Sequence, residues 1–225
     1  MAGPFLRACG GLVFLALVVA LLLFVPADLG WTEGLVFFAL FFGMSFAITL
    51  YLAKADPALL ARRTEAGPTA ETAPRQKQIQ AFSSLAFMLL LLVPALDHRF
   101  RWPPDVPRVL VFAGDAMVLA GFAIVFVVFR ANTFTSAVIE VAQEQRVVDT
   151  GPYAIVRHPM YVGGLVLTAG TPLALGSLVG FVPFALLATA IVLRLLDEER
   201  YLSANLRGYD AYRAKVKYRL VPYVF

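Results

Sequence analysis

"PMYVGGLVLTAGTPLALGSLVGFVPFALLATAIVL", residues 159–193, contains no charged residue. A helix needs about 20 residues to cross the hydrocarbon core of a bilayer. The run is too long for one such helix and rather short for two full crossings with a loop. It is broken by "GTP" (170–172), "GS" (176–177) and Pro183, residue types that kink or end helices. It reads as a helical hairpin, either two short crossings or a re-entrant dip, with both ends on one side of a membrane. Non-helical backbone at membrane depth is tolerated only where protein or a cavity surrounds it. The hairpin is therefore a candidate pocket wall.

Composition supports a membrane setting for the whole chain. Of 225 residues, 60% are hydrophobic and 15% charged, with a mean hydropathy of +0.77. An ordinary soluble domain has about 25% charged residues. The length suggests one domain. Cys9 is the single cysteine, which excludes an internal disulfide and any multi-cysteine metal site. "LRAC" (6–9) lacks the hydrophobic run that a lipoprotein cleavage box needs before its cysteine. The net charge is +4, with no basic run interleaved with aromatics that would suggest a nucleic-acid partner.

Four further apolar runs read as spans: Ala8–Ala27, Gly34–Ala53, Gln78–Leu96 and Val109–Phe129, the last interrupted by Asp115. The first has the length of a signal-peptide core, but "VPADLG" offers no clean small-residue cleavage site, so it is read as a retained helix. The fold expected is an all-α, multi-pass integral membrane protein. Residues 1–129 form four transmembrane helices, and residues 130–225 form a connector, the hairpin 159–196 and a polar tail. Positively charged residues collect on the cytoplasmic side of membrane proteins. With the N-terminus and C-terminus both cytoplasmic, only Arg99, Arg101 and Arg108 of the 19 Lys and Arg fall outside. The segment 54–77 then reads as a polar cytoplasmic loop.

Three polar clusters converge on that face. "NTFTSAVIEVAQEQRVVDTGPY" (132–153) is too polar and β-branched to cross lipid, and reads as an extended connector ending in a Gly-Pro turn. In "RHPMY" (157–161), Pro159 suits the first position of a helix, whose N–H groups favour an anion. Interfacial anchoring is the plain alternative for Arg157 and Tyr161, and a satisfied interfacial imidazole for His158. In "RLLDEERYLSANLRGYDAYRAKVKYRLVP" (194–222), Arg194 and Glu198 are four apart on one helix face. Arg194 ends the apolar run, where an ionisable side chain points to function or snorkels to the interface. Glu199 and Arg200 read as solvated. The sequence has no metal-ligand spacing, no phosphate-binding glycine loop and no nucleophile elbow. Its chemistry would rest on a bound cofactor and positioning.

"GPYAIVRHPMYVGG" (151–164), followed by "DEERYLSANLRGYDAYRAKVKYRLVP" (197–222), resembles the isoprenylcysteine carboxyl methyltransferase family and its phospholipid methyltransferase relatives. The resemblance covers roughly residues 130–225. It implies a membrane methyltransferase using S-adenosylmethionine, with the cofactor enclosed by the two blocks. Gln145, Arg146, Val147, Val148, Tyr153, His158, Pro159, Met160, Tyr161 and Glu198 would line the cofactor, and Arg194 would face the methyl acceptor. Gln145 stands where the family often has His, and Asp149 where it commonly has Thr. An acceptor carboxylate would need no general base. An amine or thiol must lose a proton, and His158 or Glu199 would then take it. The acceptor expected is a lipophilic small molecule or lipidated group reaching the site from the bilayer.

Two other readings stay open. Membrane sterol and steroid reductases, which bind NADPH, have a similar C-terminal layout, but their block reads R-H-P-N-Y-F-G-E where this chain has "RHPMYVGG" (157–164). A non-catalytic membrane protein or transporter is the other. Transporters commonly show inverted repeats or paired broken helices, and this chain shows one broken region and no repeat.

Overall fold

The computed structural model describes residues 2–65, 67, 69–71, 73–139 and 145–225. The helices in chain order are α1 (Ala2–Phe24), α2 (Thr32–Ala55), α3 (Pro57–Thr64), α4 (Pro74–Phe100), α5 (Arg108–Ala131), α6 (Pro159–Ala174), α7 (Phe181–Asn205) and α8 (Tyr209–Lys215). There is no strand among the described residues. Helices α1, α2, α4 and α5 are each long and apolar enough to cross a membrane, and the protein is an all-α integral membrane protein. Each coincides with an expected span. Helix α1 stops at Phe24 rather than Ala27 because "VPADLG" turns the chain, with the Asp28 carboxylate accepting the Gly30 N–H at 2.7 Å.

The hairpin is α6, a turn over 175–180, and α7. At 16 residues, α6 is about 24 Å long, short of the bilayer core. "GTP" does not break it as expected. Pro172 sits inside its last turns, and the chain reverses at Gly176, whose φ of +67° suits glycine. The Pro172 carbonyl accepts the Ser177 N–H at 2.8 Å across this reversal.

The segment 54–77 is likewise not simply a loop. Asp56 accepts the Leu59 N–H at 2.9 Å and Pro57 occupies the first helical position, so α3 begins there. Leu59 and Leu60 are buried. They pack with Ala8 of α1, Leu52 of α2 and Phe129 of α5, with Met160 of α6 against the same cluster. The starts of α1 and α6 therefore meet the ends of α2 and α5. At the opposite end, Ala27, Trp31, Ala95 and Leu175 share the larger core cluster.

Helices α5 and α6 lie in backbone contact. A Cβ on Gly121 would stand 2.6 Å from the Leu167 nitrogen, and one on Gly170 would stand 2.8 Å from the Gly114 carbonyl oxygen. Small residues permit such approach, and close packing drives helix association where lipid removes the hydrophobic driving force. This packing fixes where the first turn of α6 stands, and with it the block 157–161.

Candidate functional site

A cavity of about 520 Å³ opens at the end of the bundle where α6 begins. Its walls come from α3, α4, the connector, the first turn of α6, the later turns of α7, and α8. Gln145, Arg146, Val147, Val148, Tyr153, His158, Pro159, Met160, Tyr161, Arg194 and Glu198 all line it. The two polar blocks of the sequence are thus brought together by the hairpin. Part of the connector, residues 140–144, lies outside the described residues.

The entry to α6 is built by the tail. Arg157 N–H and His158 N–H donate to the carbonyls of Tyr218 and Arg219 at 2.9 and 3.0 Å. Pro159 has no N–H to satisfy at the first helical position. The Tyr161 and Val162 N–H groups both turn back to the His158 carbonyl, which leaves Met160 N–H as the open donor of that turn among the described residues. Tyr161 donates its hydroxyl to Glu198 at 2.6 Å. Across the cavity the Tyr153 hydroxyl accepts from Asn132 at 3.1 Å, and the Tyr153 carbonyl accepts from the Tyr212 hydroxyl at 2.9 Å. Burial, reinforced by Glu198, pushes the Tyr153 phenol up to about 12, so it stays neutral. The Tyr209 hydroxyl is buried without a partner among the described residues, and Tyr209 lines the cavity.

Arg194 and Glu198 face the same cavity with separate partners. The Arg194 guanidinium lies 2.7 Å from the Glu71 carboxylate and donates to Gln76, Gln80 and the Ala137 carbonyl at 3.1, 3.3 and 2.8 Å. Gln76 also donates to Asp197. Arg194 is held by the connector and by Glu71, Gln76 and Gln80 at and before the start of α4, which the sequence did not single out.

Glu199 departs from expectation. It is neither solvated nor part of the cavity lining: it is 4% exposed and lies behind the wall. It accepts from Arg157 Nε at 2.6 Å and Arg219 Nε at 2.9 Å, with His158 Nε2 at 3.3 Å. Burial alone would raise its pKa, but the hydrogen bonds from His158, Arg157 and Arg219 outweigh it and hold the carboxyl well below the usual range. A carboxylate so committed is a poor base. Its contact with His158 Nε2 leaves Nδ1 as the imidazole atom free to take a proton.

Arg63, from α3, lines the cavity and was not anticipated. Its Nη1 donates to the Ser136 carbonyl at 2.8 Å, and its guanidinium lies 5.3 Å from the Phe129 ring centre. Neighbouring Arg62 donates to the Thr133 carbonyl, so α3 and the connector are tied together. The available signal was "DPALLARR" (56–63), a capped helix start whose leucines lie four and three residues before the second arginine, on its face of the helix.

Residues 109–207 match the family model described as phospholipid methyltransferase. The match spans α5 from its second residue, the connector, α6 and the whole of α7, and so takes in the block 151–164 together with Arg194 and Glu198. That family is one of membrane methyltransferases, the group that the sequence motifs resemble. No curated protein matches the chain.

Proposed function

We propose that this chain, whose residues 109–207 carry the phospholipid methyltransferase family, transfers a methyl group from S-adenosylmethionine to a lipophilic acceptor. The acceptor group favoured is the carboxylate of a prenylcysteine-like or other lipid-like molecule. The observation that carries this reading is one cavity walled by both polar blocks, with Glu198 and the start of α6 on it.

The donor set suits the cofactor. Glu198 is a carboxylate at the cavity surface for an ammonium, and Met160 N–H at the start of α6 is placed for a carboxylate. The unpartnered Tyr209 hydroxyl can serve a further polar group. Tyr153, Tyr209 and Tyr212 supply aromatic walls that exclude water. When bound, S-adenosylmethionine supplies a methyl on a sulfonium, which leaves by in-line displacement.

The protein's share is alignment and dryness. Arg194, braced by Glu71, Gln76 and Gln80, orients the acceptor end of the cavity. A carboxylate acceptor needs no proton removed. For an amine or thiol, His158 Nδ1 receives the proton while Nε2 stays on Glu199. The cytoplasmic placement of both termini is part of the same proposal, and rests on the basic residues gathered at this end of the bundle.

The test is incubation of the membrane-embedded protein with methyl-labelled S-adenosylmethionine and total lipid extract, followed by mass analysis. Label should appear in an apolar product. Glu198→Gln should weaken cofactor binding by calorimetry at least about tenfold, the worth of one charge-assisted contact. Full methyl transfer by folded Glu198→Gln and Arg194→Ala proteins would sink the assignment, and tighter binding of NADPH would favour the reductase reading.

A further inference from the structure

The cavity contains several cations, and their counter-charges differ. Arg157 is neutralised by Glu199 and Arg194 by Glu71. Arg63 has no carboxylate within ion-pair distance among the described residues. Its recorded partners are one backbone carbonyl and one aromatic face, against five N–H donors on a guanidinium. A guanidinium with donors open to a cavity is suited to bind an anion there.

Arg63 is also held firmly. Leu59 and Leu60 anchor α3 in the cluster with Ala8, Leu52 and Phe129. Helical spacing puts Arg63 on the side of α3 that those leucines bury. The wall beside that cluster is apolar, with Val125 and Met160 packed against it and lining the same cavity. Burial lowers the Arg63 pKa from its ordinary value, and the nearby Arg194 guanidinium adds to this, yet an arginine remains charged at neutral pH. Arg146 also lines the cavity with no carboxylate at ion-pair distance among the described residues, but it is exposed to solvent. Arg63, packed on α3 beside an apolar wall, matches an amphiphile with an anionic head.

We infer that Arg63 is a specificity-determining residue that holds an anionic group of the acceptor, a carboxylate or phosphate, by charge-assisted hydrogen bonds, while Arg194 stays neutralised by Glu71. This rests on the methyl-transfer reading for the word acceptor, but the anion site itself stands on the geometry. It adds to that reading a residue from outside the matched region, and it separates the two arginines: one braces, the other binds.

The experiment uses the full chain in nanodiscs of zwitterionic lipid, with dodecanoate, dodecyl phosphate and dodecanol as probes in equilibrium dialysis. Wild type should bind one or both anions roughly tenfold more tightly than dodecanol, the worth of one charge-assisted bond. Which anion is preferred identifies the head group. Arg63→Gln should abolish the preference, Arg63→Lys should keep part of it, and both should bind S-adenosylmethionine as wild type does. The inference falls if wild type shows no anion preference, if the preference survives in Arg63→Gln, or if Arg63→Gln loses the cofactor instead.

Should Arg63→Gln not fold, the carboxyl of [1-13C]dodecanoate bound to wild type decides. It should titrate below the same carboxyl in empty nanodiscs, and identical titration overturns the site. Wild type that prefers anions yet binds no S-adenosylmethionine supports the Arg63 site and defeats the methyl-transfer reading alone.

Discussion

Replacing Glu199 with Gln tests whether the buried charge network behind the cavity holds the site in place. Gln keeps the volume and one acceptor oxygen and removes the charge. Arg157, whose side chain is 5% exposed, then loses its carboxylate, as does Arg219, 31% exposed. Breaking a buried pair from one side costs about 3–5 kcal/mol, because the remaining charge stays buried. Arg157 keeps its bonds to the Val216 and Lys217 carbonyls, so the cost falls near the lower end, about 3 kcal/mol. The half-exposed Arg219 pair adds less than about 1 kcal/mol. At about 2–4 °C per kcal/mol for a chain of this size, the thermal midpoint should fall by roughly 6–12 °C. The assay is thermal unfolding in detergent followed by circular dichroism, with hydrogen exchange at the Arg157 and His158 amides. Those amides bond to the tail, so they should exchange faster. Arg157→Gln combined with Glu199→Gln should recover part of the loss, since no unpaired charge remains on that side. A midpoint within about 1 °C of wild type, with unchanged exchange, would refute the reasoning.

The same carboxyl predicts a response to acid. Its folded-state pKa is depressed, so its stabilisation is fully present above its ordinary value of about 4.5 and is lost as the pH falls through the folded-state value. Melts of wild type between about pH 5 and pH 2 should therefore lose stability more steeply than those of Glu199→Gln; parallel slopes would contradict this. A second contrast concerns packing. Gly121→Ala pushes a Cβ to 2.6 Å from the Leu167 backbone, whereas Gly43→Ala on α2 meets nothing within 4 Å. The first should cost about 1–3 kcal/mol and the second should be neutral or stabilising by up to about 1 kcal/mol, read as unfolding by added denaturing detergent.

Much of the fold was legible because lipid imposes a simple code. Spans show as long apolar runs, and α2, α4 and α5 each enclose the run that announced them. The hairpin was legible for the same reason, and of its three expected breaks "GS" (176–177) is the one that turns the chain, at Gly176, while Pro172 and Pro183 lie inside helices. Pro172 withholds one N–H from the ladder but does not end the helix, which runs on to Ala174, and its carbonyl accepts the Ser177 N–H in the turn that follows. Hydropathy shows 54–77 only as a polar loop; what marks α3 is the cap of Asp56 and the position of Pro57. All the candidate site residues but one reached the cavity. Glu199 did not, because adjacent residues on a helix point about 100° apart: Glu198 faces the cavity and Glu199 faces Arg157. Arg63, Glu71 and Gln76 were illegible as site residues, since what places them is tertiary packing between segments far apart in sequence.

That placement bears on how such a site can change its acceptor. The residues proposed for the cofactor, Met160, Tyr161, Glu198 and the tyrosines at 153, 209 and 212, sit on α6, α7 and the segments they fix. The residues around Arg194 and Arg63 come from α3, α4 and the connector. The first set depends on the α5–α6 contact, where a single added Cβ collides with backbone, so its geometry tolerates little variation. The second set is borne on a short capped helix and a helix start, where side chains change without disturbing a backbone contact. On the methyl-transfer reading, the donor half is bound by packing to stay as it is and the acceptor half is free to diverge. Of that second set, α3 and α4 lie before residue 109, where the family match begins, while the connector and Arg194 lie inside it.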